Sequence, residues 1–397
     1  VADIIRALAD SVTGVAGLAL SAAQRRVLRR LAACRTASLG GHIEQCDRGD
    51  CAHERIAYNS CRDRHCPKCQ TAKRARWFQA RRRDLLPARY FHVVFTVPAQ
   101  VGRIALQNKR VVYGILFRAA SETLLEIAAD ARHLGARIGF VAVLHTWTQT
   151  LLHHPHVHCI VPGGGLSPHA QRWICARPRF FLSVRVLGRL YRGKFLDYLG
   201  QAYRGGELRL TATLGHLRDP QRFAALLREL RRKKWVVYAK PPAAGPEAVL
   251  GYLARYTHRV AIANSRLVSL AEGAVRFRYK DRTVGGQERI LELDAREFLR
   301  RFLLHVLPGG FVRIRHYGLL ANAHRRDNVE LCRSLIGKPV MEQTDLQTGA
   351  CEPIALPRLP SSTKCCPRCG VGTMITIAIL RPGHLHAVYA SASMDSS

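Results

Sequence analysis

The sequence predicts an α+β protein, with a central antiparallel sheet flanked by helices and a small zinc-binding domain near the N-terminus. Two strand-like segments, 138–149 and 155–161, are separated by only five residues, so an antiparallel hairpin is the simple connection. Helical patterns lie on either side of that hairpin, over 101–130 and 184–203. Cys46, Cys51, Cys61, Cys66 and Cys69 crowd into 24 residues, a density that suits metal binding better than scattered buried thiols.

The remaining elements follow in order. Residues 1–33 read as helical, with Ser21 capping 22–33. Residues 34–70 are loop-like, and 71–83 form a basic helix that ends before Pro87. The β-branched and aromatic run 90–97 (YFHVVFTV) is a strand stopped by Pro98. Helix 219–232 and a short strand, 235–239, precede a Pro/Ala/Gly linker at 240–245. A helix over 246–261 follows, with Pro246 at its first position and Glu247 in its first turn. Residues 275–279 and 288–293 bracket Gly285-Gly286 as a hairpin, and Asp294 to Glu297 resembles a capping box. From Leu307 the chain reads as loop-rich. The expected domains are a helical segment (1–33), a zinc- and DNA-binding domain (34–83), a catalytic domain (84–306) and a basic C-terminal region (307–397).

Charge points to the partner. Lys plus Arg is 62 against 28 Asp plus Glu, a formal charge of +34, and the basic residues come in blocks near Arg25, Lys73, Arg228, Arg296 and Arg313. Such spread fits a long polyanion, because cations bound to phosphates release condensed counterions. A membrane surface is the rival acidic partner, but no long basic amphipathic helix is visible to lie on one. The longest apolar run, near 138–144, falls well short of the ~20 residues a membrane helix needs, and the opening residues lack the pattern of a secretory signal. The 13 cysteines then read as reduced thiols that bind metal.

Cys66-Pro67-Lys68-Cys69 has the spacing of a zinc knuckle, and Cys46 with Cys51 is the expected other half. Cys61, His65 and His53 are spare, able to replace a ligand or build a second ion. A four-thiolate shell leaves no open position, so the site is expected to be structural. Arg62, Arg64, Lys68, Lys73, Arg74 and Arg76 around it are expected to grip DNA. Cys366-Pro367-Arg368-Cys369 repeats the theme as half of a zinc ribbon, degenerate unless Cys332 and Cys351 complete it.

The sharpest feature is His154-Pro155-His156-Val157-His158-Cys159. Alternate side chains on a strand share a face, so His156 and His158 point one way while Val157, Cys159 and Val161 face the core. Two imidazoles are half of an open metal site, suited to a catalytic Mg²⁺ or Mn²⁺ that polarises a phosphodiester. If the turn centres between Leu152 and His153, Gln149 falls opposite His156 and Trp147 opposite His158. Gln149 is therefore the candidate third ligand, with His154 in reserve. Downstream, Tyr252 and Tyr256 are stacked at i and i+4 of the helix 246–261, with Arg255, His258 and Arg259 nearby to bind phosphate. A phenol can act as a covalent nucleophile once a metal polarises its target.

Three motifs in this order, residues 57–69, 154–165 and 252–264, resemble the rolling-circle insertion-sequence transposases, which are HUH nucleases with two tyrosines. The resemblance covers roughly residues 20–375 and implies that His156 and His158 hold the divalent ion. It implies that Tyr252 and Tyr256 attack single-stranded DNA at the element's ends, each leaving a 5′-phosphotyrosine and a free 3′-hydroxyl. It also implies an HUH-type central sheet, a family zinc-binding domain over Cys46 to Cys69, and a place in the bacterial cytoplasm on the nucleoid. The tail after Met374 has no counterpart in the family pattern. A zinc-dependent DNA-binding regulator would explain the charge and cysteines but leave the histidines and tyrosines unused. An HUH replication initiator or relaxase would share the chemistry, and a zinc hydrolase on His154, His156 and His158 would lack an obvious general base.

Overall fold

The computed structural model describes residues 1–9, 18–69, 84–177, 181–240, 261–281, 284–336 and 365–382. Its chain forms two compact units, one of residues 1–72, 262–306 and 358–397, the other of 73–261 and 307–357. The four-part division read from the sequence cuts the chain differently, because both units are built from segments distant along it.

In the first unit, α1 (Ala2–Ala9) precedes α2 (Ala22–Ala32), which starts at a capping box between Ser21 and Gln24. Strands β1 (Gly41–Cys46) and β2 (Glu54–Tyr58) pair antiparallel.

The second unit holds the site. Strand β3 (Tyr90–Thr96) leads into α3 (Ala99–Gln107) and α4 (Lys109–Ala129), where one helix was expected over 101–130. The break is at Asn108, whose side-chain amide donates to the Arg209 carbonyl (2.9 Å) and accepts from the Arg209 N–H (2.7 Å). Those bonds hold Asn108 in a non-helical conformation between the two helices. Strands β4 (Gly139–Trp147) and β5 (His153–Pro162) follow, then β6 (Gly164–Leu166) and β7 (Trp173–Cys175). Helix α5 (Val184–Arg204), helix α6 (Pro220–Arg232, capped by Asp219) and β8 (Val237–Lys240) complete this stretch.

Back in the first unit, β9 (Leu267–Ala271), β10 (Ala274–Asp281) and β11 (Gln287–Asp294) form a meander, with Gly285 and Gly286 at φ +69° and +83° in its second turn. Asp294 caps α7 (Ala295–Leu304) by accepting from the Arg296 and Glu297 N–H groups. The region after Leu307, expected to be loop-rich, supplies β12 (Ile314–Gly318) and α8 (Arg325–Leu335) to the second unit. It also supplies β13 (Met374–Leu380), which pairs with β1 in the first.

The main sheet has the order β12-β4-β5-β3-β8 and is antiparallel throughout. One face is apolar: Phe91, Val93 and Phe95 of β3 and Val157, Cys159 and Val161 of β5 join Phe117, Leu124, Tyr191 and Phe195 of the helices in one core. The opposite face carries His145 of β4 and His156 and His158 of β5, together with Val141 and Val143, which join a second apolar cluster. The sheet's alternation thus keeps the three clustered histidines off the face that forms the main core.

Candidate metal centre and cysteine sites

Register creates the histidine site. In the β4–β5 ladder His145 lies opposite His156, and Val143 opposite His158. A direct cross-strand pair holds its Cβ atoms ~4.5–5.5 Å apart. His156 and His158 share a face two residues apart, so all three rings converge, and ligand nitrogens of His145, His156 and His158 lie within 4.8 Å of one another. The expected register, Gln149 opposite His156, is corrected. The turn is Thr148 to Leu152, with the Thr148 N–H donating to the Leu152 carbonyl (2.9 Å) and Leu151 at φ +65°. Gln149 lies within that turn. No Gly, Asn or Asp announces the left-handed position there. Complete burial of the Leu151 side chain accompanies it. His154 is one alternation further along β5, outside the three-nitrogen group.

Hydrogen bonds set the tautomers. His156 Nδ1 donates to the His154 carbonyl at 2.7 Å, which leaves Nε2 as the lone-pair nitrogen. His158 Nδ1 meets His92 Nε2 at 2.7 Å, with the two rings parallel within 3°. Burial pushes the His92 pKa down to about 4, so this ring is neutral at physiological pH. With the shared proton on His158 Nδ1, the lone pair that an ion would use lies on His158 Nε2. His145 is buried and stacks on Trp147, ring centroids 4.6 Å apart. Three imidazoles, two of them oriented by these hydrogen bonds, fit a divalent ion with positions left for other ligands. Sequence reasoning missed both His145 and His92. Each is a histidine within an otherwise apolar strand, and that is the signal that would have found them.

The cysteines sort differently from the expectation. Cys66 and Cys69 are completed by Cys34 and Cys61, whereas Cys46 and Cys51 meet Cys366 and Cys369. The sulfur separations are 3.6 Å for Cys34–Cys69, 3.5 Å for Cys61–Cys69 and 3.6 Å for Cys66–Cys34. A tetrahedral ion with Zn–S bonds of ~2.3 Å has ligand edges of about 3.8 Å, so these thiols are spaced for zinc. A thiol hydrogen bond from Cys61 draws the Cys66 pKa down to about 5, while burial lifts Cys34 to about 11. The sequence gap between Cys34 and Cys61 hid this grouping. His65 bonds the Phe302 carbonyl at 3.0 Å and packs on its ring, and neither His65 nor His53 joins a cysteine group. Cys332 is buried among Val143, Leu320 and Val329, far in character from a zinc ribbon, and Cys351 lies outside the described residues. The described cysteines are free thiols apart from Cys175, which is disulfide-bonded, contrary to the expectation of thiols alone.

Of the expected DNA contacts, Arg62 is exposed, and Arg64 and Lys68, close in sequence to Cys66 and Cys69, are half-buried. Lys73, Arg74, Arg76, Tyr252, Arg255, Tyr256, His258 and Arg259 lie outside the described residues.

Comparison with known proteins gives the family. A family model described as "Putative transposase" (Y2_Tnp) matches residues 139–328, the stretch that contains β4 and β5. A second, described as "Transposase zinc-binding domain" (Zn_Tnp_IS91), matches residues 5–97, which contain Cys34, Cys61, Cys66 and Cys69. The chain is 53% identical to "Putative transposase y4qJ" of Sinorhizobium fredii over 96% of its own length and 95% of that protein. It is 29% identical to "Transposase for insertion sequence element IS801" of Pseudomonas savastanoi pv. phaseolicola, over 74% of its length and 69% of the relative. No solved structure matches.

Proposed function

Because the chain belongs to the IS91/IS801 family of transposases, enzymes that process DNA, we propose that it nicks and rejoins single-stranded DNA at insertion-sequence ends through a 5′-phosphotyrosine. The observation that carries this reading is the convergence of His145, His156 and His158 on the face of the main sheet opposite the main core. In this reading they hold a catalytic Mn²⁺ or Mg²⁺, with His145 in place of Gln149 as third ligand. A third imidazole favours Mn²⁺ over the harder Mg²⁺. When bound, the ion withdraws charge from the scissile phosphate.

The rest is the work of the chain's own groups. His92 and the His154 carbonyl hold the His158 and His156 rings with Nε2 as the lone-pair nitrogen of each. Tyr252 or Tyr256 gives up its phenolic proton, and the phenolate oxygen forms a bond to phosphorus. The P–O3′ bond breaks, and the 3′ oxygen takes up a proton and leaves as a hydroxyl. One phosphate ester replaces another, so the bond energy is kept for rejoining without ATP. That 3′-hydroxyl is free to prime displacement synthesis, while the second tyrosine serves the second transfer. Arg255, His258 and Arg259 would bind phosphate near the tyrosines. Arg62, Arg64, Lys68, Lys73, Arg74 and Arg76 would hold DNA at the zinc-binding domain. No described helix is long and apolar enough to cross a membrane, and we place the protein with the bacterial cell's DNA in the cytoplasm.

The test is an adduct assay. Full-length protein is incubated with labelled single-stranded DNA from an element end and Mn²⁺, then run on a denaturing gel. A covalent protein–DNA band is expected, and it disappears in the Tyr252→Phe, Tyr256→Phe double variant. A zinc-dependent regulator would bind the DNA and give no such band, which would overturn the nuclease reading.

A further inference from the structure

Four cysteines take no part in the reaction proposed above. Cys46 and Cys51 flank the turn after β1, and Cys366 and Cys369 flank a turn just before β13, more than 300 residues later in the chain. Their sulfurs nevertheless converge: Cys46–Cys369 and Cys51–Cys366 are both 3.8 Å apart, and all four lie within 4.8 Å of one another. That separation equals the edge of a tetrahedron with Zn–S bonds of ~2.3 Å, and it is far from the ~2.05 Å of a disulfide.

The backbone is shaped around these sulfurs. The β1–β13 ladder runs from Gly41 opposite Leu380 to Cys46 opposite Met374, and so delivers one cysteine pair to the other. Beyond it, the Asp47 N–H donates to the Thr373 carbonyl (3.0 Å), and the Thr373 N–H to the Asp47 carboxylate (2.7 Å). In the second turn the Gly372 N–H donates to Cys369 Sγ at 3.3 Å, a bond that favours the thiolate a metal requires. A Cβ on Gly372 would stand 2.4 Å from Cys46 Sγ, so this close approach admits only glycine. Gly370, at φ +72°, closes the same turn.

Apolar packing alone is a poor account of this junction. Its buried cluster is Cys46, Cys51, Cys366 and Met374, with Cys369 against it, and one methionine is a slender core on which to anchor a remote segment. We propose that Cys46, Cys51, Cys366 and Cys369 bind a second structural zinc ion, which clasps residues 366–380 onto the N-terminal zinc-binding domain. The segment lies beyond both stretches matched by the transposase families, 5–97 and 139–328. The half-ribbon in the sequence is then complete, its other half being the pair that precedes β2. Loss of the C-terminal segment would leave Cys46 and Cys51 half-liganded and the edge of β1 unpaired.

The proposal is independent of the nuclease reading and is tested by counting ions. Full-length protein is reconstituted with Co²⁺, and the thiolate-to-cobalt charge-transfer absorption is titrated. This band reports cysteine-bound ions and ignores an all-histidine site. Two equivalents are expected in the wild type, and one in Cys366→Ser, Cys369→Ser. The quadruple variant that adds Cys46→Ser and Cys51→Ser should also keep one, because both pairs serve the same ion. One equivalent in the wild type, or two retained in the Cys366→Ser, Cys369→Ser variant, overturns the proposal. Should the cysteine variants fail to fold, the wild-type count still decides. Gly372→Ala, which keeps every thiol, should then weaken one equivalent selectively.

Discussion

Replacing His92 with alanine isolates what this buried ring does for the proposed metal centre. In the native arrangement His158 Nδ1 and His92 Nε2 are 2.7 Å apart, and the two rings lie parallel with centroids 4.9 Å apart. Removing the ring takes away the acceptor that holds His158 in the Nδ1-protonated tautomer, and it frees the imidazole to rotate. Outer groups of this kind are worth about 10–100-fold in metal affinity, which is about 1.4–2.7 kcal/mol. The variant also loses a buried polar contact worth about 1–3 kcal/mol of stability, so its affinity must be read well below its melting temperature. The assay is Mn²⁺ binding to the full chain by titration calorimetry, with circular dichroism to confirm folding. His92→Gln, which retains an oxygen acceptor, should recover affinity to within about threefold, or ~0.7 kcal/mol. Equal Mn²⁺ affinity in folded His92→Ala and the wild type would refute the argument. So would an equal loss in the Ala and Gln variants, since restoring an acceptor would then restore nothing.

Three further outcomes follow from the same geometry. His145→Ala should lower the yield of protein–DNA adduct by more than the about 10–100-fold that an outer group is worth, while Gln149→Ala leaves it nearly unchanged; the reverse result would restore the turn glutamine as ligand. Gly165→Ala would place a Cβ 2.3 Å from the Arg137 carbonyl, and it should destabilise the second unit by about 1–3 kcal/mol, read as a lowered midpoint in urea. His153, bonded to the Tyr113 hydroxyl at 2.8 Å, is pushed down to about 4 mainly by burial, with Lys109 adding to the effect. The unfolded chain therefore binds more protons than the native one between about pH 6.5 and 4, so the stability this ring contributes is present above that window and lost as pH falls through it. A His153→Gln variant should show a flatter melting temperature across that range, and an unchanged slope would contradict the assignment.

Much of this protein is legible in its sequence because local rules dictate it. Alternation along 153–162 sends His156 and His158 to one face and Val157, Cys159 and Val161 to the other, whatever the strand pairs with. The capping residues Ser21, Asp219 and Asp294 and the Gly285-Gly286 turn are likewise short-range signals, and each of them marks an observed boundary. The asymmetry of charge and the crowding of thiols identify the chemical class of partner and ion without any coordinates.

What only the tertiary structure decided is which distant residue meets which. The third imidazole depends on a cross-strand register set by a turn around Leu151, whose positive φ no local residue preference announces. His92 reaches His158 because β3 happens to be the neighbour of β5. The two four-cysteine groups interleave along the chain, Cys46 and Cys51 falling between Cys34 and Cys61, so nearness in sequence pairs the wrong thiols. Periodicity and composition are properties of a segment and survive in isolation. A ligand set is a property of the packed chain, because an ion selects groups by the few ångströms between them and not by their order along the backbone.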